Sequence, residues 1–226
     1  MVYIPKATQK IRVFQSKIIK WYDTHGDKHL PWRNTNNPWH VLIAGLLLKK
    51  TTTKQVLQIY SKFIDKYPNP KAILESSKDE IRNLIKPLGL EHRRTELIMR
   101  LSLIILDEFE GKIPSTRKEL KKLPGIGDYI ASEVLLIAYN KPKPLLDRNM
   151  IRVLERIFSL KTTKKRAHTD PKLWAFAEKL IPTDPEKAKA FNYGVLDFAR
   201  KICTARNPKC TSCPIRNICN TYRSSS

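Results

Sequence analysis

Apolar residues along this chain recur at helical spacing, in segments separated by Gly, Pro and capping residues. Over residues 9–25, Ile11, Phe14, Ile18, Ile19 and Tyr22 fall on one side of a helix that Gly26 ends. Lys10, Arg12, Lys17 and Lys20 fill the rest of its surface and read as a solvated face. A more apolar helix follows over residues 41–48. It is entered through a loop in which Trp32 and Trp39 read as packing residues, and it ends in a polar run from Lys49 to Thr53. Val56, Ile59, Tyr60 and Phe63 mark the next helix, a shorter one lies at 70–76, and Ser77 with Glu80 makes a capping box for another. Leu88, Gly89 and Leu90 punctuate the chain before a helix carrying Ile98, Leu101, Ile104 and Ile105. Past residue 150 come a helix to Phe158 and two more opened by Asp170-Pro171 and Asp184-Pro185. No segment alternates as a strand would, and no internal repeat is present. The pattern predicts an all-α fold.

The stretch from Leu123 to Asp147 organises the rest. Thr116 and Glu119 start a short helix that Pro124 stops, and Gly125 and Gly127 are expected to take φ values other residues resist. A helix then opens near Asp128, with Ile130, Val134, Leu135 and Ala138 on its buried face. A Gly-x-Gly turn at a helix N-terminus presents bare backbone N–H groups, which suits a phosphate; an ordinary glycine-containing turn has the same sequence. Asp147 precedes another basic helix, where an aspartate is an ordinary N-cap, although Asn149 close by reads as the better candidate for that cap.

Charge narrows the class. Lys and Arg number 43 against 21 acidic residues, a formal net charge of +22. Such an imbalance points to a polyanion, with nucleic acid first and an anionic membrane surface second. No apolar run approaches the ~18 residues of a spanning helix, and no signal-peptide pattern opens the chain, so the sequence reads as intracellular with no membrane role. The four cysteines, Cys203, Cys210, Cys213 and Cys219, crowd into seventeen positions, unlike a secreted disulfide framework. They read as a metal centre. Four thiolates serve zinc or a [4Fe–4S] cluster, and their number alone does not separate the two.

Leu123-Pro124-Gly125-Ile126-Gly127, the apolar helix and the aspartate eighteen residues beyond Tyr129 together resemble the helix-hairpin-helix DNA glycosylases of the endonuclease III and MutY superfamily. The 6-2-5 cysteine spacing, with Pro214 directly after the third cysteine, resembles the iron–sulfur loop of the endonuclease III branch. Leu30-Pro31-Trp32-Arg33 looks like the branch containing the adenine and mismatch-thymine glycosylases.

The resemblance implies two helical lobes, one of residues 30–134 and one of 1–29 with 135–226, the latter holding a [4Fe–4S] cluster on the four cysteines. It implies a monomer acting on double-stranded DNA that carries a mismatched or damaged base. Asp147 is then catalytic, Tyr129 marks the subclass, and Gly125, Ile126 and Gly127 hold the DNA backbone. Lys49 and Lys50 occupy the polar pair that in relatives fills the gap left by a flipped base, though both also read as surface lysines. Leu90 stands where relatives place a wedge into the opposite strand, though it also reads as a hydrophobic cap after Gly89. Relatives that cleave the strand have lysine at the Tyr129 position and adenine-specific ones usually serine; tyrosine looks like the mismatch-specific thymine/uracil branch. Gly45 departs from the pattern, since adenine-specific relatives, and some thymine-specific ones, have a catalytic glutamate there, and this weakens the adenine reading. The expected activity is monofunctional removal of thymine or uracil opposite guanine. The alternatives are adenine excision, a bifunctional lyase on oxidised pyrimidines, and a DNA-binding module without chemistry.

Overall fold

The computed structural model describes residues 6–224, and among these there is no strand. The α-helices are α1 (Lys6–His25), α2 (Pro38–Leu47), α3 (Thr53–Lys66), α4 (Pro70–Leu74), α5 (Lys78–Ile85) and α6 (Glu91–Phe109). They continue as α7 (Arg117–Leu120), α8 (Asp128–Ile137), α9 (Arg148–Phe158), α10 (Pro171–Leu180), α11 (Pro185–Lys201) and α12 (Asn220–Ser224). The expected capping signals operate: Ser77 and Glu80 form a reciprocal box on α5, Thr116 accepts from Glu119 N, and Asp170 and Asp184 cap α10 and α11.

The chain folds into two compact units, residues 28–141 and residues 1–27 with 142–226. The boundary thus falls after α8 and its following turn, not within the helix at 134. Packing explains this. α8 lies against α2, and the turn behind it is tied back into the same unit by Tyr139 Oη donating to Ile113 O and Lys141 Nζ donating to Ser115 O. Residues 1–5 and 225–226, which the expected domains include, lie outside the described residues.

The internal unit is built around α2, whose Leu42, Ile43, Leu46 and Leu47 are fully buried. α6 packs on α4 and α5, contributing Ile98, Leu101 and Ile105 to the core. Trp32 and Trp39 are packing residues here, as their context predicts. Trp32 meets Tyr60 edge-on at 5.3 Å, and Trp39 donates from Nε1 to Tyr67 O at 2.9 Å. α2 and α8 approach closely because Gly45 has no side chain. A Cβ at Gly45 would stand 3.0–3.3 Å from three carbons of Ile130.

In the composite unit, Phe14, Ile18 and Trp21 of α1 share a core with Val153 and Leu154 of α9, Leu173 and Ala177 of α10, and Phe191, Val195 and Phe198 of α11. Each fully buried side chain of this size contributes about 1.5–3 kcal/mol. Phe14 meets Phe158 and Phe191 edge-on at 5.7 and 5.3 Å. A polar clasp joins the two chain segments. Asp27 N donates to Asp197 Oδ2 at 2.8 Å, and Lys201 and Arg200 both pair with the Asp27 carboxylate. Burial would raise the Asp27 pKa, but the hydrogen bonds from Lys201 and Arg200 outweigh it and hold the carboxyl below its ordinary range.

The α2–α8 contact yields the first prediction. Gly45→Glu forces a charged side chain against Ile130 in a dry interface and should lower stability by at least about 3 kcal/mol. Gly45→Ala should cost far less, because the gain in helix propensity offsets part of the crowding. Thermal unfolding of both variants checks the order.

Candidate functional site

The internal unit brings three turns together at one basic concavity of about 610 Å³, bordered by Lys49, Lys50, Leu90, Arg93, Arg94 and Gly125. In the turn before α8, Gly125 has φ +78, and a Cβ there would come within 2.9 Å of Leu97. The left-handed φ favours glycine, and any side chain there would also push the Leu97 methyl groups aside. Gly127 differs from expectation: its φ of −96 and ψ of −177 are open to any residue. A Cβ at Gly127 would meet nothing within 4 Å. Its smallness therefore serves neither conformation nor packing, and leaves the approach to the α8 N-terminus open.

That N-terminus is bare. Of α2 to α11, only α6 and α8 have no side-chain N-cap. Ile126 is 6% exposed and its N–H already bonds Leu123 O, so it seats the turn in the core and presents little outward. Asp128 opens α8 and pairs with Arg117 and Lys121, each at 2.8 Å. Burial raises the pKa of Asp128, yet those two partners pull it below its ordinary range. Tyr129, half-buried, follows in the first turn.

Lys49 donates from Nζ to Gly125 O, tying the end of α2 to this turn. Burial, with the nearby Arg94 charge second, lowers the Lys49 pKa. Lys50 is exposed and left-handed at φ 55. Leu90 is also left-handed, at φ 55 and ψ 28, and is 55% exposed, so it does not pack as a hydrophobic cap. Behind both stands Arg94, buried, whose polar role the apolar spacing of α6 does not reveal.

In the composite unit, Asp147 is the N-cap of α9. Its Oδ1 accepts from Met150 N and its Oδ2 from Asn149 Nδ2, both at 2.8 Å. Asn149 is thus not the cap: it lies inside the helix, and its amide serves the aspartate. Burial raises the Asp147 pKa above the ordinary aspartate range, opposed by these hydrogen bonds and by the Arg152 charge. The segment leading to Asp147 is positioned by Asn192, which is fully buried on α11. Asn192 Oδ1 accepts from Leu145 N at 2.7 Å, and its Nδ2 donates to Lys143 O at 3.1 Å and Ala188 O at 2.9 Å. Its only sequence signal is a lone Asn among buried aromatics.

The four cysteines line a cavity of about 430 Å³ with Arg156 and Ile215 among its other walls. Among the described residues, no three His, Cys, Asp or Glu side chains are grouped so as to hold a single metal ion. Four thiols around one cavity can each bind a different iron of a cluster. Burial, and then the charges of the other three cysteines, push the Cys213 thiol up to about 11, a crowding that bound iron relieves. α9 holds the loop. Arg152 donates to Cys203 O and Ala199 O, both at 2.9 Å, and Arg156 donates to Cys203 Sγ at 3.3 Å and Thr204 O at 2.8 Å.

Comparison with known proteins agrees with this geometry. Residues 43–179 match the model for HhH-GPD superfamily base excision DNA repair proteins, and residues 203–219 match the iron-sulfur binding domain of endonuclease III. The loop therefore carries a [4Fe–4S] cluster, and the matched segment begins at Cys203, ends at Cys219 and contains Cys210 and Cys213. The chain is 56% identical to a thymine/uracil-DNA glycosylase of Pyrobaculum aerophilum, over 97% of this chain and 96% of that protein. It is 53% identical to a thymine-DNA glycosylase of Aeropyrum pernix, over 98% of this chain and 99% of that one. The solved structure of a thermostable thymine-DNA glycosylase superposes with a TM-score of 0.89 at 35% identity, covering 96% of this chain and 99% of the other.

The contrast between the two glycines is testable. Gly125→Ala should destabilise the fold by about 1–3 kcal/mol, through the left-handed strain and the clash with Leu97. Gly127→Asp should leave thermal stability near that of the unaltered protein yet weaken binding to matched and mismatched duplexes alike. Denaturant melts and fluorescence anisotropy separate the two effects. Cys213→Ser should bleach the broad visible absorption of the cluster and loosen the C-terminal loop, read by absorbance and limited proteolysis.

Proposed function

The chain belongs to the HhH-GPD superfamily of base excision DNA repair proteins, and from that membership we propose that it removes thymine or uracil mispaired with guanine by hydrolysis, as a monomer inside the cell. The observation that carries the reading is near-full-length identity above 50% to proteins with thymine or thymine/uracil-DNA glycosylase activity. Its DNA N-glycosylase chemistry acts on a base taken out of the stack.

Asp147 is the catalytic residue. Held at the start of α9 by Met150 N and Asn149, its carboxylate faces the positive charge that develops on the sugar as the C1′–N bond breaks. The bonding pair leaves with the base. Water adds to C1′, and its proton passes to the Asp147 carboxylate. Tyr129 sits where strand-cleaving relatives have lysine, and a phenol cannot form the Schiff base that lyase chemistry requires. This supports a monofunctional reaction. Gly45 argues against adenine, since it offers no acid and leaves no room for one beside Ile130. The uncapped N-terminus of α8 and the exposed Lys50 and Leu90 supply the DNA contacts, to phosphate and at the mispair respectively. The [4Fe–4S] cluster, when bound, fixes the loop of residues 203–219, including Arg206, Lys209 and Arg216, as a basic surface for phosphates.

A panel of duplexes carrying T·G, U·G, A·G and oxidised bases, treated with alkali after incubation, tests the reading. Cleavage is expected at T·G and U·G only, and only after alkali. Strand breaks before alkali, or protein trapped on DNA by borohydride, would overturn the monofunctional assignment. Asp147→Asn should reduce single-turnover excision by at least about a hundredfold. The pH profile carries a sign. The reactive form is the carboxylate, and the folded pKa is raised, so the rate should fall as pH drops through a value above that of ordinary aspartate. Asn149→Ala removes a hydrogen bond to the charged form and should move this acid limb to higher pH.

A further inference from the structure

We propose that Arg94 is a positioning residue that fixes Lys50 and Leu90 in the geometry with which this protein distinguishes a mismatched pair from a matched one. The inference rests on the reading of Lys50 and Leu90 as contacts at the mispair.

Arg94 lies one turn into α6 and is 6% exposed. A guanidinium is costly to bury unless its donors are used, and an apolar side chain of similar volume would fill the space at less cost. Nε makes no hydrogen bond, and the donors that are used, Nη1 and Nη2, go to one target, the end of α2. Nη1 donates to Leu46 O at 2.6 Å and Leu47 O at 3.3 Å, carbonyls of the last turn, the first of which also accepts from Lys49 N. The cation also meets the negative end of the helix dipole. Those two bonds would suffice for a helix cap. The fork reaches further: Nη2 donates to Lys49 O at 3.1 Å and Thr51 Oγ1 at 3.0 Å. Arg94 therefore grips the chain immediately before and immediately after Lys50.

Lys50 needs that grip. Its φ of 55 is a conformation that a residue with a side chain adopts at a cost. The second strained residue lies one helical turn from Arg94, joined to it by a backbone bond that does not involve the side chain. Arg94 N donates to Leu90 O at 2.9 Å, closing the first turn of α6 on Leu90, whose φ is also 55. Lys49, held by Arg94 through its carbonyl, donates in turn to Gly125 O. One buried residue thus anchors two exposed, left-handed residues and connects both to the turn that faces phosphate. Strained residues of this kind persist only where their surroundings over-determine them, and they concentrate at functional sites.

Two variants test the assignment. Arg94→Lys keeps the charge and loses the fork, while Thr51→Val leaves α6 and the core intact and removes only the last bond. Both should bind a matched duplex within roughly twofold of the unaltered protein, because phosphate contacts dominate that affinity. Preference for a T·G over a T·A duplex should fall roughly tenfold in Arg94→Lys and roughly threefold in Thr51→Val. In a Lys50→Ala background, Arg94→Lys should cause much less additional loss, since the two act as one unit. Unchanged preference in the variants, or full additivity with Lys50→Ala, overturns the role of Arg94 while leaving the glycosylase reading in place. No preference for T·G in the unaltered protein overturns both. If Arg94→Lys fails to fold, Thr51→Val decides alone.

Discussion

Burying a carboxylate works against its charge, and at Asp147 the start of α9 is arranged around that conflict. Burial alone favours the protonated form. The helix N-terminus provides the remedy: Met150 N donates to one oxygen, Asn149 to the other, and the Arg152 charge lies close enough to help. The same hydrogen bond that begins α9 therefore also tunes the acid. Asn192 settles where this happens. Its amide fastens the backbone at Lys143 and Leu145, so the extended segment enters the helix along one path. A buried amide with each of these bonds made has little freedom to rotate, and it passes its rigidity to its neighbours.

The cysteine loop works on the same helix. Arg152 and Arg156, one turn apart on α9, direct their guanidiniums to the backbone around Cys203. Lys10 and Lys17 of α1 reach Ile157 O and Pro214 O, joining the helix and loop from the other side. Helix α9 thus begins at a carboxylate and is braced along its length by the cysteine loop.

The helices were legible in the sequence because their signals are local. Ser77 with Glu80, Thr116 with Glu119, and Asp-Pro before α10 and α11 all cap as the text of the chain indicates. The cysteine centre was legible for the same reason, its four ligands lying within seventeen residues. What the sequence hid depends on distant partners. Nothing local distinguishes Arg94 from the exposed Arg93 beside it, since its carbonyl partners lie more than forty positions away. Asn192 is likewise defined by a segment far upstream of it. Gly127 misled for a different reason: two glycines in one turn look alike, and only the backbone shows that Gly125 needs its left-handed φ while Gly127 does not. Asn149 was mistaken for the cap because either side chain could fill that role until the helix start was known.

The composite unit joins the two ends of the chain, and this has a consequence for the order of events during synthesis. Residues 28–141 can complete their contacts as soon as they emerge. The apolar face of α1, with Phe14, Ile18 and Trp21, must wait for α11, and the clasp between Asp27 and Asp197 spans 170 positions. Closing so long a loop is slow relative to forming local helices. A finished internal unit carries part of that cost in advance, because it replaces a floppy connection with a compact one. In the interval α1 is a cationic, amphipathic helix without its partner, a state in which it is exposed to chaperones and proteases and prone to aggregation.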